Sequence, residues 1–556
     1  MTTEVEVYKP KNDIRVVTAT SLFDGHDAAI NIMRRILQDT GVEVIHLGHN
    51  RSVQEIVEAA IEEDAQGVAV SSYQGGHVEF FKYMIDLLKE KKASQIKVFG
   101  GGGGVIVPEE VKELEAYGVT KVYSPEDGAR MGLQGMINHM VKTIDFPTVK
   151  NNNFDLAKLD ANNPLLVAKL ISAAEQARAQ ENGNFKAIRD QLAQKLKSHK
   201  APVIGITGTG GAGKSSLTDE LILRILHDLK DVKIAIISCD PSRRKTGGAL
   251  LGDRIRMNTI SNPRVYFRSL ATRRSQTELP AALPEAIEVA QAAGYDLVIA
   301  ETAGIGQGDS SIIDLVDLSI YVMTSEFGAA TQLEKIDMLD FADLVVVNKF
   351  EKRGADDAVR DVRKQVQRNQ KLWDMDPEEM PVFGTIASKF NDDGVTSFYH
   401  AVLDNIAEKT GVKFKASLPR PKTRTSSSKT IIIPQERTRY LSEIADAIRK
   451  YHQQTREQAQ NLRKVWHLKE TYAYTGANDE TEASPKLVSR LKDEIEKAEA
   501  TLKNETLDSI KEWEKIKDTY SKDELAYQVR DREIRVPLFT KSLSHTRIPK
   551  IALPRF

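Results

Sequence analysis

The chain has almost no cysteine and no long hydrophobic run. Cys239 is its one cysteine among 556 residues, so an internal disulfide framework is excluded and a reducing compartment is indicated. Nowhere do about 18 apolar residues follow one another, and the first residues lack the apolar core of a signal peptide. These absences predict a cytoplasmic protein without a membrane span.

An excess of charge of either sign is absent too. The 78 Lys and Arg residues nearly balance the 79 Asp and Glu residues, which gives a formal net charge of -1. Because nucleic acids and anionic membranes attract basic surfaces, this balance predicts neither of them as a partner. With 556 residues the chain is too long for one hydrophobic core, so we expect several domains.

The first 148 residues alternate regularly between strand and helix patterns. Five short apolar runs, each followed by a helical pattern, predict a parallel, doubly wound α/β sheet. In such a sheet, ligands bind beyond the carboxyl ends of the strands. The five predicted strands are 13–20, 41–48, 65–72, 95–103 and 120–124.

Unusual residues follow three of these strands. The segment 24–26 follows the first strand, the segment 71–76 ends the third, and five consecutive glycines, 100–104, end the fourth. Since such a run costs conformational entropy on folding, it suggests that a large flat ligand approaches the backbone closely. The G-x-G-x-x-G pattern of dinucleotide sites is absent after the first strand. Taken alone, His26 is more simply a loop histidine that caps a helix.

Together, the three strand ends resemble the cobalamin-binding domain of the base-off, His-on type found in acyl-CoA mutases and methionine synthase. That family carries D-x-H-x-x-G, S-x-L and G-G, in this order, on a flavodoxin-like sheet. The resemblance implies that His26 is the lower axial ligand of cobalt and that Asp24 fixes its tautomer. Ala29 and Tyr73 depart from the family's glycine and leucine. The matching residues are Asp24, His26, Ser71, Gly103 and Gly104.

A nucleotide-binding motif opens the second part of the chain. The pattern G-x-x-x-x-G-K-S spans 208–215, after the apolar run 203–206 and before a helical pattern, as a P-loop requires. Backbone N–H groups of such a loop cradle the phosphates, its lysine reaches the β- and γ-phosphates, and its serine binds Mg²⁺. The residues expected in these roles are Gly210, Gly211, Ala212, Gly213, Lys214 and Ser215.

Three acids and a threonine are candidates for the magnesium site. Asp240 and Glu301 end two further predicted strands, Thr302 follows Glu301, and Asp253 lies in a loop between the strands. Because carboxylates at these strand ends would face the phosphates, we expect them to hold Mg²⁺ or the attacking water. Lys214 and Glu301 are the predicted catalytic groups. For Asp253 the alternative is a surface acid.

A base-recognition motif completes the predicted nucleotide site. Residues 348–351 resemble the N-K-x-D that reads guanine, with an acidic arm one methylene longer, so GTP is the predicted nucleotide. The segment 387–389 lies where such GTPases support the base with a backbone N–H. Arg256 is expected either to meet the nucleotide or to form a surface ion pair. The four motif residues are Asn348, Lys349, Phe350 and Glu351.

Three further motifs make residues 200–415 similar to the chaperone GTPases that load cobalamin into acyl-CoA mutases. The motifs are D-P-S at 240–242, G-G-x-L-x-G-D-x-x-R-M at 247–257 and E-T-x-G-x-G-Q at 301–307. The resemblance implies that the nucleotide controls cofactor loading. We expect the segments 242–257 and 302–310 to act as switches on the connector helices. No glutamine directly follows Gly304, so the group that orients the attacking water stays open.

The remaining segments predict helical regions and the beginning of a further domain. Apolar residues at helical spacing predict one helix through 441–465 and a second through 487–516, as core or interface stripes without a catalytic cluster. The last residues resemble the segment that leads into the (β/α)₈ substrate barrel of acyl-CoA mutases. The predicted domains are 1–148 for cobalamin, 149–199 as helical connector, 200–415 as GTPase, 416–530 as helical linker region and 531–556 as leading segment.

The order of these modules resembles the fused isobutyryl-CoA mutases. The resemblance implies an adenosylcobalamin-dependent interconversion of isobutyryl-CoA and n-butyryl-CoA, with the acyl-CoA bound by a barrel that this chain does not include. It further implies a homodimer and an adenosyltransferase as cofactor donor. The chain is then a fragment of the fused enzyme or pairs with a separate substrate subunit. Two alternatives stay open, namely a non-catalytic cobalamin carrier or sensor with GTPase activity, and a fused mutase for another branched acyl-CoA.

Overall fold

The described residues form two compact units, 1–430 and 431–556. The fold is taken from a computed structural model. It describes residues 5–150, 153–179, 185–197, 200–243, 245–273, 279–304, 310–328, 333–427, 439–477, 485–529 and 532–551. The first unit contains both predicted binding domains.

The N-terminal domain is the parallel α/β sheet that the alternation predicted. Its strands are buried along almost their whole length because helices cover both faces, which explains their nearly continuous apolar runs. The strands are β1 (Arg15–Ser21), β2 (Glu43–Arg51), β3 (Gly67–Ser71), β4 (Lys97–Gly101) and β5 (Lys121–Tyr123). The helices are α1 (Ala28–Asp39), α2 (Val53–Glu62), α3 (His77–Glu90), α4 (Pro108–Tyr117) and α5 (Pro125–Ile144).

The second domain is built on a seven-stranded parallel sheet with the P-loop at its centre. The strand order is β13-β12-β11-β6-β10-β7-β9, so the loop after β6 lies between the ends of β11 and β10. The strands from this part of the chain are β6 (Val203–Gly208), β7 (Ile234–Asp240), β8 (Ala249–Leu251), β9 (Val265–Ala271), β10 (Leu297–Glu301), β11 (Leu318–Thr324), β12 (Leu344–Asn348) and β13 (Val382–Thr385).

Seven α-helices lie among the described residues of this part of the chain. The connector helices α6 and α7 bury Val167, Leu170 and Ile188 in the same apolar cluster as Val298 of β10, so the connector belongs to the core of the second domain. The helices are α6 (Pro164–Ala179), α7 (Phe185–Leu196), α8 (Lys214–Asp228), α9 (Leu283–Ala292), α10 (Met338–Phe341), α11 (Ala355–Asn369) and α12 (Asp393–Thr410).

Strand β8 leaves its own domain and joins the first sheet. The observed order of that sheet is β5-β4-β3-β1-β2-β8, and β8 pairs in parallel with β2 through Glu43 with Ala249, and Ile45 with Leu251. Ala249 and Leu251 are buried in the apolar core of the N-terminal domain. Sequence patterns did not predict this pairing, because a three-residue run inside a loop carries no periodic signal.

The second unit contains a long helix with one partner helix. Helix α13 (Tyr440–Ala477) spans the first predicted stripe, where Val465 is buried against Ala498 and Leu502 while Leu441 is exposed. The prediction of one continuous helix through 487–516 is wrong, because the chain divides there into α14 (Pro485–Glu499), α15 (Asn504–Lys511) and α16 (Trp513–Tyr520).

The first break in that stripe is stabilised by a side chain of α13. The amide of Gln458 donates to the carbonyl of Thr501 at 3.0 Å and accepts from the N–H of Lys503 at 2.8 Å, so it satisfies backbone groups that a continuous helix would pair internally. After α16 the chain forms two antiparallel hairpins. Their strands are β14 (Glu524–Val529), β15 (Arg532–Pro537), β16 (Phe539–Lys541) and β17 (Arg547–Pro549). Among the described residues, no helix is both long and apolar enough to cross a membrane.

The glycine run after β4 allows one very close backbone contact. A Cβ atom on Gly102 would lie 1.9 Å from the carbonyl oxygen of Ser72, whereas one on Gly104 meets no described atom within 4 Å. We therefore expect Gly102→Ala to lower the free energy of unfolding by about 3 kcal/mol, because backbone at the end of β3 must shift. Denaturant unfolding followed by circular dichroism measures it.

Gly104→Ala is the matched control for this prediction. It changes the same run two residues away and should alter stability by less than about 0.5 kcal/mol. Equal losses in the two variants would contradict the steric explanation.

Candidate functional site

A buried carboxylate holds an exposed histidine at the carboxyl edge of the first sheet. Asp24 is 0% exposed, and its Oδ2 accepts the N–H of Tyr73 at 2.6 Å. Its Oδ1 accepts the N–H of His26 at 2.9 Å and lies 2.8 Å from Nδ1 of the same imidazole. The His26 side chain is 68% exposed. Nε2, the second ring nitrogen, therefore points away from the carboxylate, and the imidazole is accessible to solvent.

The pKa of Asp24 is lowered, which keeps it ionised beside the imidazole. Burial alone would raise this pKa, but the N–H groups of Tyr73 and His26 and the His26 side chain outweigh burial. A carboxylate on Nδ1 holds that proton on the ring and leaves Nε2 as the lone-pair donor. This arrangement fits an imidazole that ligates a metal of a bound cofactor.

The other residues predicted for cobalamin converge on the same edge. Gly103 begins a short 3₁₀ turn, and a Cβ there would lie 3.0 Å from the Tyr73 ring. The Tyr73 ring centroid lies 5.7 Å from that of His26. Ser71 is buried, with its hydroxyl 3.2 Å from that of Thr20, and Gly104 is open on its Cβ side. The loops after β1, β3 and β4 thus form one site.

Polar side chains continue from this edge along one face of the sheet. Thr18 and Thr20 alternate on β1 with residues of the opposite face, and the Thr18 hydroxyl lies 2.9 Å from Nδ1 of His46 on β2. Burial, together with the charge of Arg34, lowers the pKa of His46 to about 4, so this imidazole is neutral. Sequence reasoning missed these residues, although their alternation with apolar neighbours was a usable signal.

An open cavity lies beside this edge and is lined by the segments that follow β1, β2 and β3. Its volume is about 500 Å³, and its lining includes Leu22, Phe23, Phe80 and Tyr83. Phe23 has a φ of +63° and donates its N–H to the side chain of Asn50 at 2.7 Å, with its ring 78% exposed. Phe23, which precedes Asp24 in this loop, therefore has a left-handed backbone conformation that is unfavourable for a residue with a Cβ. Such conformations cluster at binding sites.

The P-loop has the geometry that phosphate binding requires. Gly213 precedes α8 with a φ of +87°, so the chain turns and directs the first N–H groups of the helix into the loop. Lys214 is buried, and its ammonium donates to the carbonyls of Gly208 at 3.2 Å and Thr209 at 3.4 Å. Burial lowers its pKa, against the opposing charges of two carboxylates named below.

Hydroxyls and carboxylates meet directly behind the P-loop. Ser215 donates to Glu301 at 2.7 Å and lies 3.5 Å from Oδ1 of Asp253. Thr218 donates to the second oxygen of Glu301 at 2.9 Å, and Ser238 donates to Asp253 at 2.6 Å. The expectation that Ser215, Asp253 and Glu301 lie together is thus matched by the geometry, and Asp253 is not a surface acid.

The pKa values of two of the acids, Glu301 and Asp240, are raised. Burial and the charge of Asp253 raise the pKa of Glu301 to about 7, although hydrogen bonds from Ser215 and Thr218 oppose the shift. Burial and the same neighbouring charges raise the pKa of Asp240 well above its ordinary value, and its Oδ2 is buried without a partner. Two buried carboxylates whose pKa values are raised, one of them hydrogen-bonded to the P-loop serine and the other with an unpaired oxygen, fit a site that receives Mg²⁺ with the nucleotide.

Two other predicted residues lie at the margin of this cluster. The Thr302 hydroxyl donates to that of Thr207 on β6 at 2.8 Å instead of facing Ser215. Arg256 is exposed and lies 3.5 Å from Asp253. Gly210 approaches the carbonyl of Gly304, which brings the P-loop against the segment after β10. Residues 305–307 of the E-T-x-G-x-G-Q motif lie outside the described residues, as do residues 308 and 309 of the expected switch segment.

The base-recognition motif contacts the P-loop from the other side. The Asn348 amide donates to the carbonyl of Ala212 at 2.8 Å, and Lys349 donates to that of Gly211 at 2.7 Å. The N–H of Ala387, expected to support the base, instead donates to Asn348 at 3.2 Å. One buried oxygen of Glu351 has no described partner, which suits an acceptor that awaits guanine donors.

The side chain of Phe350 lies in the domain core, not in the site. It packs against Gly384, where a Cβ would meet its ring at 2.7 Å. Its backbone N–H donates to the carbonyl of Thr385 at 3.0 Å, so the prediction that Phe350 contacts the nucleotide through its side chain is wrong. Among the described residues, no three His, Cys, Asp or Glu side chains are grouped as a metal site, so Mg²⁺ here would combine protein hydroxyls with one or two carboxylates and the phosphates.

Comparisons with known proteins give matches to both the N-terminal domain and the P-loop domain. The family model described as Methylmalonyl Co-A mutase-associated GTPase MeaB matches residues 167–483, and the model described as B12 binding domain matches residues 14–133. Over 553 residues the chain is 54% identical to a fused isobutyryl-CoA mutase of Geobacillus kaustophilus (strain HTA426), covering 99% of this chain and 50% of that relative. It is 52% identical over 550 residues to a fused isobutyryl-CoA mutase of Cupriavidus metallidurans, covering 98% of this chain and 49% of the relative. The chain therefore spans about half the length of the curated relatives it matches.

The raised pKa of Glu301 predicts a pH dependence for magnesium. Because Mg²⁺ needs the carboxylate, binding below the pKa of about 7 must first displace a proton. We expect Mg²⁺ affinity of the nucleotide complex to fall about tenfold for each pH unit below 7 and to level off above it. Magnesium titration of GDP binding between pH 6 and 8 measures the effect.

Glu301→Gln is the control, since it keeps the size of the side chain but does not titrate. It should lose the part of the pH dependence that comes from Glu301 and retain the part that comes from the nucleotide phosphates and from Asp240. If wild type and variant showed the same slope, Glu301 would not be the titrating group.

Proposed function

The chain belongs to the family of methylmalonyl-CoA mutase-associated GTPases, MeaB, and on this basis we propose that it holds cobalamin for an acyl-CoA mutase and controls its loading by GTP. The observation that carries the proposal is the pair of Asp24 and His26, a buried carboxylate that orients an exposed imidazole. This pair lies in a matched B12 binding domain within the same compact unit as a complete P-loop.

In the proposed cobalamin site, His26 supplies the axial nitrogen and Asp24 keeps the proton on Nδ1. The bonds from Tyr73 and His26 to Asp24 hold the loop after β1 against the loop after β3, so the imidazole is oriented before the cofactor arrives. The polar face with Thr20 and Ser71 would receive the displaced nucleotide tail. When bound, adenosylcobalamin supplies the radical chemistry, and this chain positions and shields it.

In the proposed GTPase site, the P-loop binds the phosphates and the adjacent carboxylates bind magnesium. Lys214, which now donates to two backbone carbonyls, would bind the phosphates, and Ser215 with Glu301 would hold Mg²⁺. Asp253, which lies 3.5 Å from Ser215, would assist them, and Asp240 would add its charge from the end of β7. The positive charge of the ion would favour the ionised forms of these acids. Asn348 and Glu351 stand at the guanine end, with Arg256 at the phosphate end.

The activity proposed for the whole assembly is the interconversion of isobutyryl-CoA and n-butyryl-CoA. Relatives named fused isobutyryl-CoA mutase support it, and about half of their length lies beyond the part that this chain matches. We assign the acyl-CoA to a mutase barrel in that other half, and we propose a homodimer that receives adenosylcobalamin from an adenosyltransferase.

Removal of the axial nitrogen should change the spectrum of bound cofactor. Wild-type protein mixed with adenosylcobalamin should show the base-off, His-ligated spectrum, and His26→Ala should lose it and weaken cofactor binding at least tenfold. Ultraviolet–visible titration measures both.

His49→Ala is the matched control, because His49 is an exposed histidine near the carboxyl end of the neighbouring strand β2. It should bind like the wild type. A wild-type spectrum in His26→Ala would contradict the assigned ligand.

Removal of the P-loop ammonium should abolish GTP turnover. Lys214→Ala should lower the rate of phosphate release at least 100-fold, because no other cation reaches the γ-phosphate from this loop. Lys352→Ala, which removes an exposed ion pair with Glu326, is the control and should keep the wild-type rate. Continued turnover in Lys214→Ala would refute the phosphate site.

A further inference from the structure

A loop of the GTPase domain is built into the cobalamin-binding domain. Strand β8 extends the first sheet beside β2, and the residues before it contact the end of α1. There, Thr246 donates to the carbonyl of Gln38 at 3.1 Å, and a Cβ on Gly248 would lie 2.2 Å from that same carbonyl. Because β8 pairs with β2 of that sheet and Ala249 also bridges to Ser242, this loop is attached to the cobalamin domain as well as to its own.

The same loop returns to the nucleotide site immediately after β8. Asp253 lies two residues beyond the strand and connects Ser238 of β7 with Ser215 of the P-loop, through the distances given above. The stretch from Ala249 to Asp253 thus spans from one domain's sheet to the other domain's magnesium site. No hinge glycine with positive φ interrupts it, since Gly252 has a φ of -107°.

Arg254 anchors this stretch to the cobalamin domain. The residue is 5% exposed, and its guanidinium lies 2.6 Å from Glu62 and 3.5 Å from Glu63, both at the end of α2. It also donates to the carbonyl of Phe267 on β9 at 2.7 Å. Neighbouring residues therefore face opposite ways, with Asp253 towards the nucleotide and Arg254 towards the cobalamin domain.

The ion pair of Arg254 with Glu62 and Glu63 is buried, which restricts its movement. Glu63 is fully buried and accepts the N–H and the hydroxyl of Ser269, so its position is set by β9 as well as by Arg254. A buried ion pair that loses one partner leaves an uncompensated charge, which opposes any movement that separates the two. Arg254 thus ties the end of α2 to β9, and Asp253, its neighbour in the chain, lies in the nucleotide site.

We infer that Arg254 is the positioning residue that couples the two sites, setting Asp253 at the nucleotide site according to the state of α2 in the cobalamin domain. The inference rests on the proposed function and is an alternative to the expected route through the connector helices. Those helices attach to α9 through Arg178 with Glu285 and Arg189 with Glu288. They also join the two sheets through Glu175, which pairs with Arg15 of β1 and Arg268 of β9. Arg254, in contrast, is the direct chain neighbour of Asp253.

The coupling is measurable as a ratio of affinities. The dissociation constant of a non-hydrolysable GTP analogue is determined with and without saturating adenosylcobalamin, and the ratio of the two constants is the coupling factor. By linkage, the reciprocal experiment must give the same factor. In the wild type we expect this factor to differ from one by at least fivefold. In Glu62→Gln and Arg254→Met it should fall to within twofold of one, while each ligand alone still binds within about threefold of wild type.

Arg189→Met is the matched control, since it removes an ion pair between connector and GTPase domain but leaves Arg254 in place. It should keep the wild-type factor. Thermal unfolding is recorded for every variant, and if Arg254→Met does not fold, Glu62→Gln decides, because it keeps the side chain's size. A purely structural role would lower the melting temperature and leave the factor unchanged.

Three outcomes would overturn the inference. One is a wild-type factor close to one although both ligands bind, which would leave the proposed function standing. The second is a folded Glu62→Gln variant with the full wild-type factor. The third is loss of the factor in Arg189→Met, which would restore the connector route. Failure of the wild type to bind cobalamin at all would instead contradict the proposed function, and this inference with it.

Discussion

A buried network of charges joins the two sheets and the connector into one unit. Arg15 of β1 pairs with Glu43 of β2 at 2.9 Å and with Glu175 of α6 at 2.7 Å, and Arg268 of β9 pairs with Glu175 at 2.8 Å. Burial opposes ionisation, but Arg273 and Arg15 hold the pKa of Glu43 at about 2. Because removal of one partner from such a network costs about 3–5 kcal/mol, the two domains are held in one arrangement.

That arrangement matters because both ligand sites are built from the ends of parallel strands. Asp24 follows β1 of one sheet, while the P-loop follows β6 and Glu301 ends β10 of the other. A parallel sheet gathers loops that are distant in sequence at one edge, where backbone groups are free of the strand ladder. The shared strand β8 then makes the loop that carries Asp253 a part of both domains.

The fold class and many contacts of the two sites could be predicted from local sequence patterns. The alternating sheet is confirmed, and Asp24 with His26, like Ser215 with Glu301, lie in direct contact. Thr218 and Ser238 were missed because a lone hydroxyl in a helix or a buried strand has no distinguishing pattern. The predicted helix through 487–516 is divided because the side chain of Gln458, from a different helix, satisfies the backbone at the first break.

Local patterns predicted the two binding motifs, because the P-loop and the D-x-H motif are short, contiguous and shaped by the ligand they bind. The ionisation of Glu301 depends instead on the folded chain, since burial and the nearby charge of Asp253 bring together segments that are distant in sequence. The pairing of β8 with β2 is likewise a tertiary outcome. Its three residues are too few to show a period, and their place is set by a free sheet edge some 200 residues earlier in the chain.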